Sequence, residues 1–280
     1  HPPWDPPAFF YNRYADDPDI PAPAMGDPAT YSEGLVPFVD VHGPFPDAEY
    51  LARPVKDVAR ARAGYYGCID HMDTQITRFT YHMWRMLQVR NIVFAFVGDH
   101  GDMLGDHNYW AKSFGYEGSV RVPFVLNLPA PMALPANKTY PEVTVGLADL
   151  MPTLLDVCEL PVPDRVDGSS LMPLIRGETD RLNREYLHSE HLEYGHYLMN
   201  HMEKFIWHYR TGRLEYYDLQ EDPLETKNLY APDHPRAGLL KSRLEALLTD
   251  QGRESVFMKN GRLSNEVARK HTHAVPSYAQ

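Results

Sequence analysis

The chain has 280 residues, of which 43% are hydrophobic and 25 are prolines, and this length allows one large hydrophobic core or two smaller ones. Its formal net charge of -11 excludes nucleic acid held by bulk electrostatics. The sequence contains no apolar run of about 18 residues and no signal-peptide pattern, so we expect neither a transmembrane helix nor a membrane partner.

The amino-terminal segment, residues 1–56, holds twelve of the prolines. This density predicts an extended, turn-rich segment that lies over another part of the protein. The sequence starts at His1 without an initiator Met, so we expect it to begin in mid-sequence. Amino-terminal targeting information is then absent. The remaining sequence favours a cytoplasmic location. Cys68 and Cys158 give no disulfide framework and are expected to be buried free thiols.

A long helix is predicted next. Apolar residues between Asp57 and Val89 recur at alternating steps of four and three, which places them on one helical face. The residues of this face are Tyr65, Ile69, Met72, Ile76, Phe79, Met83 and Met86. We expect Asp57 to cap the helix and the apolar face to pack on a sheet.

The strongest signal follows this helix, where the apolar run Ile92–Val97 meets residue types that bind metals. A run without polar alternation predicts a strand covered on both faces in a parallel sheet. Asp99 and His100 come at its carboxyl end, which is where open α/β sheets place their ligands. A carboxylate and an imidazole side by side can each give one ligand to a divalent cation.

Two interpretations of the loop after this strand stay open. In the first, Lys112 adds a positive charge for an anionic group bound to the cation, and the ligand is an oxyanion ester. In the second, the loop is an ordinary polar connection in which Asp102 and Asp106 cap or turn the chain.

Strands and helices continue to alternate beyond this loop. Val122–Leu128 predicts a second buried strand and Gly146–Leu160 a short helix. Strand, helix and strand in this order fit an α/β layered domain. We expect a first domain at residues 1–180 and a small carboxyl-terminal subdomain with its tail at 181–280.

The carboxyl-terminal part predicts a small antiparallel sheet followed by a helix. Two aromatic-rich runs, 204–210 and 213–219, are separated by Thr211-Gly212, which is a hairpin signature. The leucines between Leu239 and Leu248 predict an amphipathic helix.

Residues 186–208 indicate a second metal site as an alternative, because they contain five histidines with glutamates between them. These residues are His188, His191, His196, His201, His208, Glu190 and Glu193. Their spacing matches no strict zinc pattern. Their alternation with Tyr, Leu and Ile favours strands whose polar side faces solvent or a cleft.

An ordered series of motifs runs through most of residues 1–230. Its members are His1-Pro2-Pro3-Trp4, Asp99-His100-Gly101-Asp102, Gly105-Asp106-His107, Lys112, Tyr116-Glu117, Arg121-Val122-Pro123 and Tyr217-Asp218-Leu219. This series resembles the sulfatases of the alkaline phosphatase superfamily. The resemblance implies an α/β fold with an alkaline phosphatase-like mixed sheet flanked by helices. A small carboxyl-terminal antiparallel sheet and helix would follow, and the domain would be incomplete at its amino terminus.

By this resemblance Asp99 and His100 are metal ligands, and Lys112 and His1 are catalytic residues that bind the substrate sulfate. The implied cofactor is a divalent metal, Ca²⁺ first, with Mn²⁺ or Zn²⁺ as alternatives. The family's nucleophile is a formylglycine made from Cys or Ser within Cys/Ser-x-Pro-x-Arg, and this motif does not occur in the sequence. We therefore expect the formylglycine in a missing segment. The chain alone is then an inactive fragment whose partner is the missing amino-terminal half of the domain.

The function implied is that of a metal-dependent sulfuric ester hydrolase, arylsulfatase-like, acting on a small sulfate ester. One alternative is a phosphonate monoester or phosphodiester hydrolase of the same superfamily, because the Asp-His pair and the Lys occur in both. Another is a non-catalytic fragment that acts as a binding module. The sequence decides neither the substrate nor self-association into a homo-oligomer, since fold does not determine substrate.

Overall fold

The computed structural model describes residues 3–26, 55–88, 91–112, 114–129, 132, 138–191, 195–209 and 211–272. The chain divides into two compact units. The first unit comprises His1–Tyr31, Leu35–Lys112 and Arg121–Ala133, and the second comprises Ser32–Gly34, Ser113–Val120 and Leu134–Gln280. The predicted domain division at residue 180 stays a prediction. No helix within the described ranges is long and apolar enough to cross a membrane.

Two helices pack together in the first unit. The short helix α1, Ala8–Tyr11, lies beside the long helix α2, Val55–Tyr81, which continues into one π-helical turn at His82–Met86. Glycine allows the close approach between α2 and the amino-terminal segment, because a Cβ on Gly64 would lie 2.4 Å from the carbonyl oxygen of Trp4. The predicted long helix is confirmed.

The apolar face of α2 is where the sequence prediction was wrong. Four of its members, Ile69, Met72, Phe79 and Met86, are 44%, 44%, 53% and 65% exposed. The side buried in the first unit carries Val58, Arg62 and Ala63 instead. Gly67 on the same helix lies against Pro6 and Phe10. A stripe of exposed apolar side chains on one helix is unusual on the surface of a soluble monomer.

The predicted strands on either side of the candidate loop are present as β1, Phe94–Val97, and β2, Phe124–Asn127. They pair with each other in antiparallel orientation, with Val97 opposite Phe124. The expectation of a parallel strand covered on both faces was wrong for the described residues. A parallel pair needs a crossover that returns to the start of the first strand. Here the end of β1 lies beside the start of β2. The Gly98 N–H donates to the Pro123 carbonyl oxygen at 3.2 Å.

The second unit is built on a four-stranded antiparallel sheet in the order β3-β4-β5-β6. Its strands are β3 (Leu187–His191), β4 (Gly195–Met199), β5 (Glu203–His208) and β6 (Arg213–Asp218). The predicted hairpin is confirmed as β5 and β6. Its turn uses Gly212, whose φ of 80° suits glycine.

The predicted carboxyl-terminal helix is confirmed as α6, Pro235–Asp250, which packs its apolar side on this sheet. The shared core consists of Leu198, Phe205, Trp207, Tyr209, Tyr216, Ala237, Leu240, Leu244, Leu248, Phe257, Met258 and Ala268. The remaining elements are α3 (Glu117–Val120), α4 (Leu150–Val157), α5 (Met172–Ile175), α7 (Glu254–Phe257), β7 (Met258–Lys259), β8 (Arg262–Leu263) and α8 (Asn265–Thr272). Both cysteines are free thiols, but neither is fully buried as expected: Cys68 is partly exposed and Cys158 is exposed.

Candidate functional site

The candidate site begins where β1 ends. Gly98 starts the loop, and a Cβ at this position would lie 3.3 Å from the Cβ of Val122 and 3.4 Å from the Cδ of Pro123. A larger residue would therefore crowd Val122 and Pro123, which directly precede β2. The glycine lets Asp99 and His100 emerge directly at the end of the strand, as the sequence predicts.

Asp99 and His100 form a close pair at the end of β1. The Nδ1 of His100 lies 2.8 Å from the Gly101 carbonyl oxygen, and a carbonyl can only accept, so Nδ1 is the protonated nitrogen. The other ring nitrogen, Nε2, lies 3.4 Å from the Oδ2 of Asp99. Two ligand atoms on one Zn²⁺ are about 3.3 Å apart, given bonds of about 2.0–2.2 Å.

This pair fits part of a metal site. A histidine ligand commonly donates its other ring N–H to a backbone carbonyl, as His100 does here. The Asp99 side chain is 88% exposed and is therefore accessible to a cation. Within the described residues, no third His, Cys, Asp or Glu joins these two as a cluster, whereas Ca²⁺ takes about 6–8 oxygen ligands. These two side chains alone would therefore not complete the ligand set of such a cation.

The rest of the loop is closed on itself by hydrogen bonds. Asp102 Oδ1 accepts from the backbone N–H of Leu104 at 3.0 Å and of Ala111 at 3.1 Å. The N–H of Met103 also donates to the Ala111 carbonyl oxygen at 2.7 Å. Leu104 and Ala111 have φ values of 44° and 60°, a strained region for residues other than glycine. Asp102 therefore holds together the two ends of a strained loop.

A buried arginine on α2 anchors the same loop. Arg62 donates through Nη2 to Asp106 Oδ1 at 2.6 Å and through Nε to the Leu104 carbonyl oxygen at 3.0 Å. Asp106 Oδ1 also accepts from the Ala24 N–H at 2.7 Å. The interpretation of Asp102 as a turning residue is confirmed by its bond to the Leu104 N–H. The Asp106 carboxylate instead anchors the loop to Arg62 and Ala24. Sequence analysis missed Arg62, because nothing in its neighbourhood marks a partner 44 residues away.

The structure places the predicted charge-stabilising residue at the end of this loop. Lys112 is half-buried and directly follows Ala111, in the same unit as Asp99 and His100. His1 lies outside the described residues, so its predicted contact with sulfate has no structural counterpart here. The roles of all four predicted site residues stay predictions.

The Tyr116-Glu117 part of the motif is anchored within the second unit. The hydroxyl of Tyr116 donates to Glu215 at 3.0 Å, and the buried Lys204 donates to Glu117 at 2.7 Å. Lys204 also pairs with Glu225 at 2.6 Å. These two motif residues therefore tie the segment after Lys112 to the four-stranded sheet.

A second group of ligand types lies on that sheet. His188 Nε2 is 3.1 Å from His196 Nδ1, and Glu190 Oε2 is 3.5 Å from the same nitrogen. Burial, and after it the neighbouring His188 and Arg253, lowers the pKa of His196 to about 3, while burial lowers the pKa of His188. Both rings are neutral at pH 7. The sequence analysis considered these residues as a second metal site but favoured strands whose polar side binds no metal. Only the pairing of the strands brings the three side chains together.

The strands, helices and loop described above define a hydrolase fold of the alkaline phosphatase superfamily. Two family models match the chain: "Sulfatase" at residues 1–160 and "N-sulphoglucosamine sulphohydrolase, C-terminal" at residues 105–253. The chain belongs to the sulfatase family, which confirms the predicted family and fold class.

Known proteins agree with this membership. An arylsulfatase of Clostridium perfringens is 36% identical over 270 residues, covering 94% of this chain and 54% of the relative. A choline-sulfatase of Rhizobium meliloti is 29% identical over 199 residues, covering 68% and 37%. The solved phosphonate monoester hydrolase of Silicibacter pomeroyi aligns with a TM-score of 0.68 at 24% identity, over 91% of this chain and 56% of that one. That likeness concerns the fold. The chain spans about half, or less, of the length of these curated relatives.

Proposed function

We propose that this chain is the carboxyl-terminal portion of a metal-dependent, arylsulfatase-like sulfuric ester hydrolase. The observation that carries the proposal is the Asp99–His100 pair, whose Oδ2 and Nε2 lie 3.4 Å apart at the end of β1. The 36% identity to the arylsulfatase of Clostridium perfringens supports it. The formylglycine nucleophile would belong to a part of the protein outside this chain.

Asp99 and His100 would hold a divalent cation, Ca²⁺ first, with Mn²⁺ or Zn²⁺ as alternatives. When bound, the cation would withdraw electron density from the sulfuryl group. Asp99 supplies the hard oxygen ligand that Ca²⁺ prefers, and the His100–Gly101 hydrogen bond orients the imidazole. The remaining ligands would come from the missing segment.

Lys112 and His1 would bind the sulfate and neutralise charge that builds on its oxygens during hydrolysis. A fixed cation at that place stabilises the transition state more than the ground state. Asp102 supports this role for Lys112, because its hydrogen bond to the Ala111 N–H positions the backbone immediately before the lysine.

The missing amino-terminal half of the domain would cover the exposed face of α2. Phe79 on α2 is 53% exposed, and Met86 in the π-helical turn that follows is 65% exposed. The arylsulfatase relative is about twice as long as this chain. Additional residues of the same domain would therefore be available to cover this apolar face. The chain without it would be inactive.

A second candidate is a phosphonate monoester or phosphodiester hydrolase. The solved phosphonate monoester hydrolase of Silicibacter pomeroyi, whose fold this chain shares with a TM-score of 0.68, is the reason to consider it. A third candidate is a binding module without catalysis.

The test is an assay of the complete protein that contains this chain, on an aryl sulfate and an aryl phosphonate monoester. Faster hydrolysis of the sulfate is the expected result. Faster hydrolysis of the phosphonate would replace the proposal with the second candidate. Hydrolysis of neither, in a protein that contains the Cys/Ser-x-Pro-x-Arg motif, would favour the binding module.

A further inference from the structure

A second ligand cluster lies on one face of the edge of the four-stranded sheet, apart from the proposed catalytic residues in sequence. His188 and Glu190 are two residues apart on β3, so their side chains share a face. His196 is the direct cross-strand partner of Glu190 on β4. The arrangement is therefore His-x-Glu on one strand with a histidine opposite.

The distances within this cluster match the ligand shell of a small divalent ion. The His188 Nε2 to His196 Nδ1 distance is 3.1 Å, the Glu190 Oε2 to His196 Nδ1 distance is 3.5 Å, and all three atoms lie within 4.8 Å of one another. Ligand atoms around a tetrahedral Zn²⁺ are about 3.3 Å apart, given bonds of about 2.0–2.2 Å. The 3.1 Å separation is also a hydrogen-bond distance, so one ring would move its proton to its other nitrogen for both nitrogens to bind the ion.

The chemistry of the donors selects the kind of ion. Two imidazole nitrogens and one carboxylate form a set that suits Zn²⁺ and similar transition metals, while Ca²⁺ and Mg²⁺ prefer oxygen ligands. Three protein ligands leave a fourth position for water. Glu190 keeps a third of its side chain exposed, so an ion can enter from solvent.

The surroundings hold the histidines in place. His196 is 1% exposed and packs edge-to-face against Phe257, with ring centroids 4.5 Å apart, and stacks on Trp207 at 5.8 Å. His188 stacks on His196 with an angle of 10° between the rings. Rings fixed by packing lose little freedom on binding a metal, which favours binding.

Arg253 is the competitor of such an ion. Its guanidinium pairs with Glu190 and also lies over the Phe257 ring, 4.7 Å from the centroid. In the absence of metal this pair neutralises the carboxylate. A divalent ion would take over that role, and Arg253 could keep its place on the aromatic ring.

We propose that His188, Glu190 and His196 bind a divalent transition-metal ion of the Zn²⁺ class, which links β3 to β4 in the second unit. The site is distinct from the Asp99–His100 pair in residues, unit and preferred ion. It does not depend on the proposed sulfatase activity.

The test is a titration of the metal-stripped full chain with Zn²⁺, followed by calorimetry, in an Asp99→Ala/His100→Ala background that removes the other pair. One equivalent of Zn²⁺ should bind, and His188→Ala and Glu190→Gln should each weaken binding at least tenfold. His191→Ala is the matched control, because this histidine lies on the same strand but points to the other face, and it should leave the affinity unchanged. These substitutions spare the core ring of His196.

A second readout separates metal coordination from loss of structure. Co²⁺ in place of Zn²⁺ should give the visible absorption of a four-coordinate site in the parent chain and lose it in His188→Ala. Arg253→Gln should tighten Zn²⁺ binding about tenfold by removing the competing cation. The proposal is overturned if no Zn²⁺ binds, or if His188→Ala binds it as tightly as the control. The cluster would then be a stacked histidine pair beside an Arg253–Glu190 ion pair.

Discussion

The loop after β1 and the four-stranded sheet use charged side chains in opposite ways. In the loop, Asp99 is 88% exposed, and its Oδ2 lies 3.4 Å from the Nε2 of His100. In the sheet, Lys204 is fully buried between Glu117 and Glu225, with both oxygens within 2.7 Å of its ammonium. The buried charges are paired within the protein, while the Asp99–His100 pair is open to solvent.

This difference separates stability from function. Breaking a buried ion pair leaves a desolvated charge behind, which is costly, whereas water replaces an exposed partner at little cost. We therefore expect substitutions in the sheet to unfold the protein and substitutions in the loop to leave it folded but impair binding. The predictions below test that separation, from the largest expected effect to the smallest.

Lys204→Met should destabilise the chain by about 3–5 kcal/mol, because it leaves Glu225 buried without its cation. Urea unfolding at pH 7 measures the loss. Burial raises the pKa of Glu225 to about 7 although Lys204 opposes this, so its protonated form is readily available. Part of the lost stability should therefore return as the pH falls to about 5.

The matched control for this substitution is Lys259→Met. Lys259 pairs with Glu266 at 3.0 Å, but both side chains are more than half exposed, and the expected loss is below about 1 kcal/mol. Equal losses at the two lysines would contradict the distinction between buried and exposed charge.

Asp99→Ala should lower sulfate ester hydrolysis by more than about 100-fold in the complete protein, because it removes a proposed metal ligand. The unfolding free energy of the chain should change by less than about 0.5 kcal/mol, since the side chain is exposed. Elemental analysis of the purified complete protein measures the bound metal. Asp73→Ala, an exposed aspartate on α2, is the control, and full metal content in Asp99→Ala would refute the ligand role.

Lys112→Ala should lower turnover of sulfate esters by more than about tenfold in the complete protein, the usual scale for loss of one charge-stabilising group. Bound metal should stay at the parent level, which distinguishes this residue from Asp99. Steady-state kinetics measures the change, with the exposed Lys227→Ala as control. An unchanged rate would remove Lys112 from the proposed mechanism.

The last prediction concerns the pH dependence of a single buried carboxylate. Burial alone would raise the pKa of Asp149, but Arg184 and the backbone N–H groups of Gly146 and Ser169 lower it below its usual range. Because the folded pKa is the lower one, this carboxylate stabilises the fold above about pH 4, the pKa of an unfolded Asp. That contribution is lost as the pH falls through the folded pKa.

Urea unfolding of the parent chain and of Asp149→Asn between pH 6 and pH 3 measures this contribution. The stability difference between the two should shrink as the pH falls. A difference that stays constant over this range would mean that Asp149 does not titrate with unfolding. The exposed Asp73→Asn serves as control, because its difference from the parent should be small at every pH.

Local patterns explain which predictions from the sequence succeeded. The repeat in α2, the apolar runs of β1 and β2 and the hairpin at Thr211-Gly212 each depend on residues close together in the chain. Asp99 and His100 are adjacent, so their pairing at the strand end follows from the same local order. The motif series also identified the family, because its members keep their sequence spacing.

Long-range contacts explain what the sequence left undecided. Residue periodicity shows that α2 has an apolar face, but only packing shows that this face is exposed in the described structure. Arg62 meets Asp106 across 44 residues, and no local pattern marks either as the other's partner.

The sequence by itself determined the family, the order of the strands and helices, and the Asp99–His100 pair, because these depend on neighbouring residues. Only the tertiary structure decided the antiparallel pairing of β1 with β2 and the support of the loop by Asp102 and Arg62. It also decided the meeting of His188 and Glu190 with His196, since strand register places side chains opposite one another. Register depends on the packing of whole strands, and no single stretch of sequence contains it.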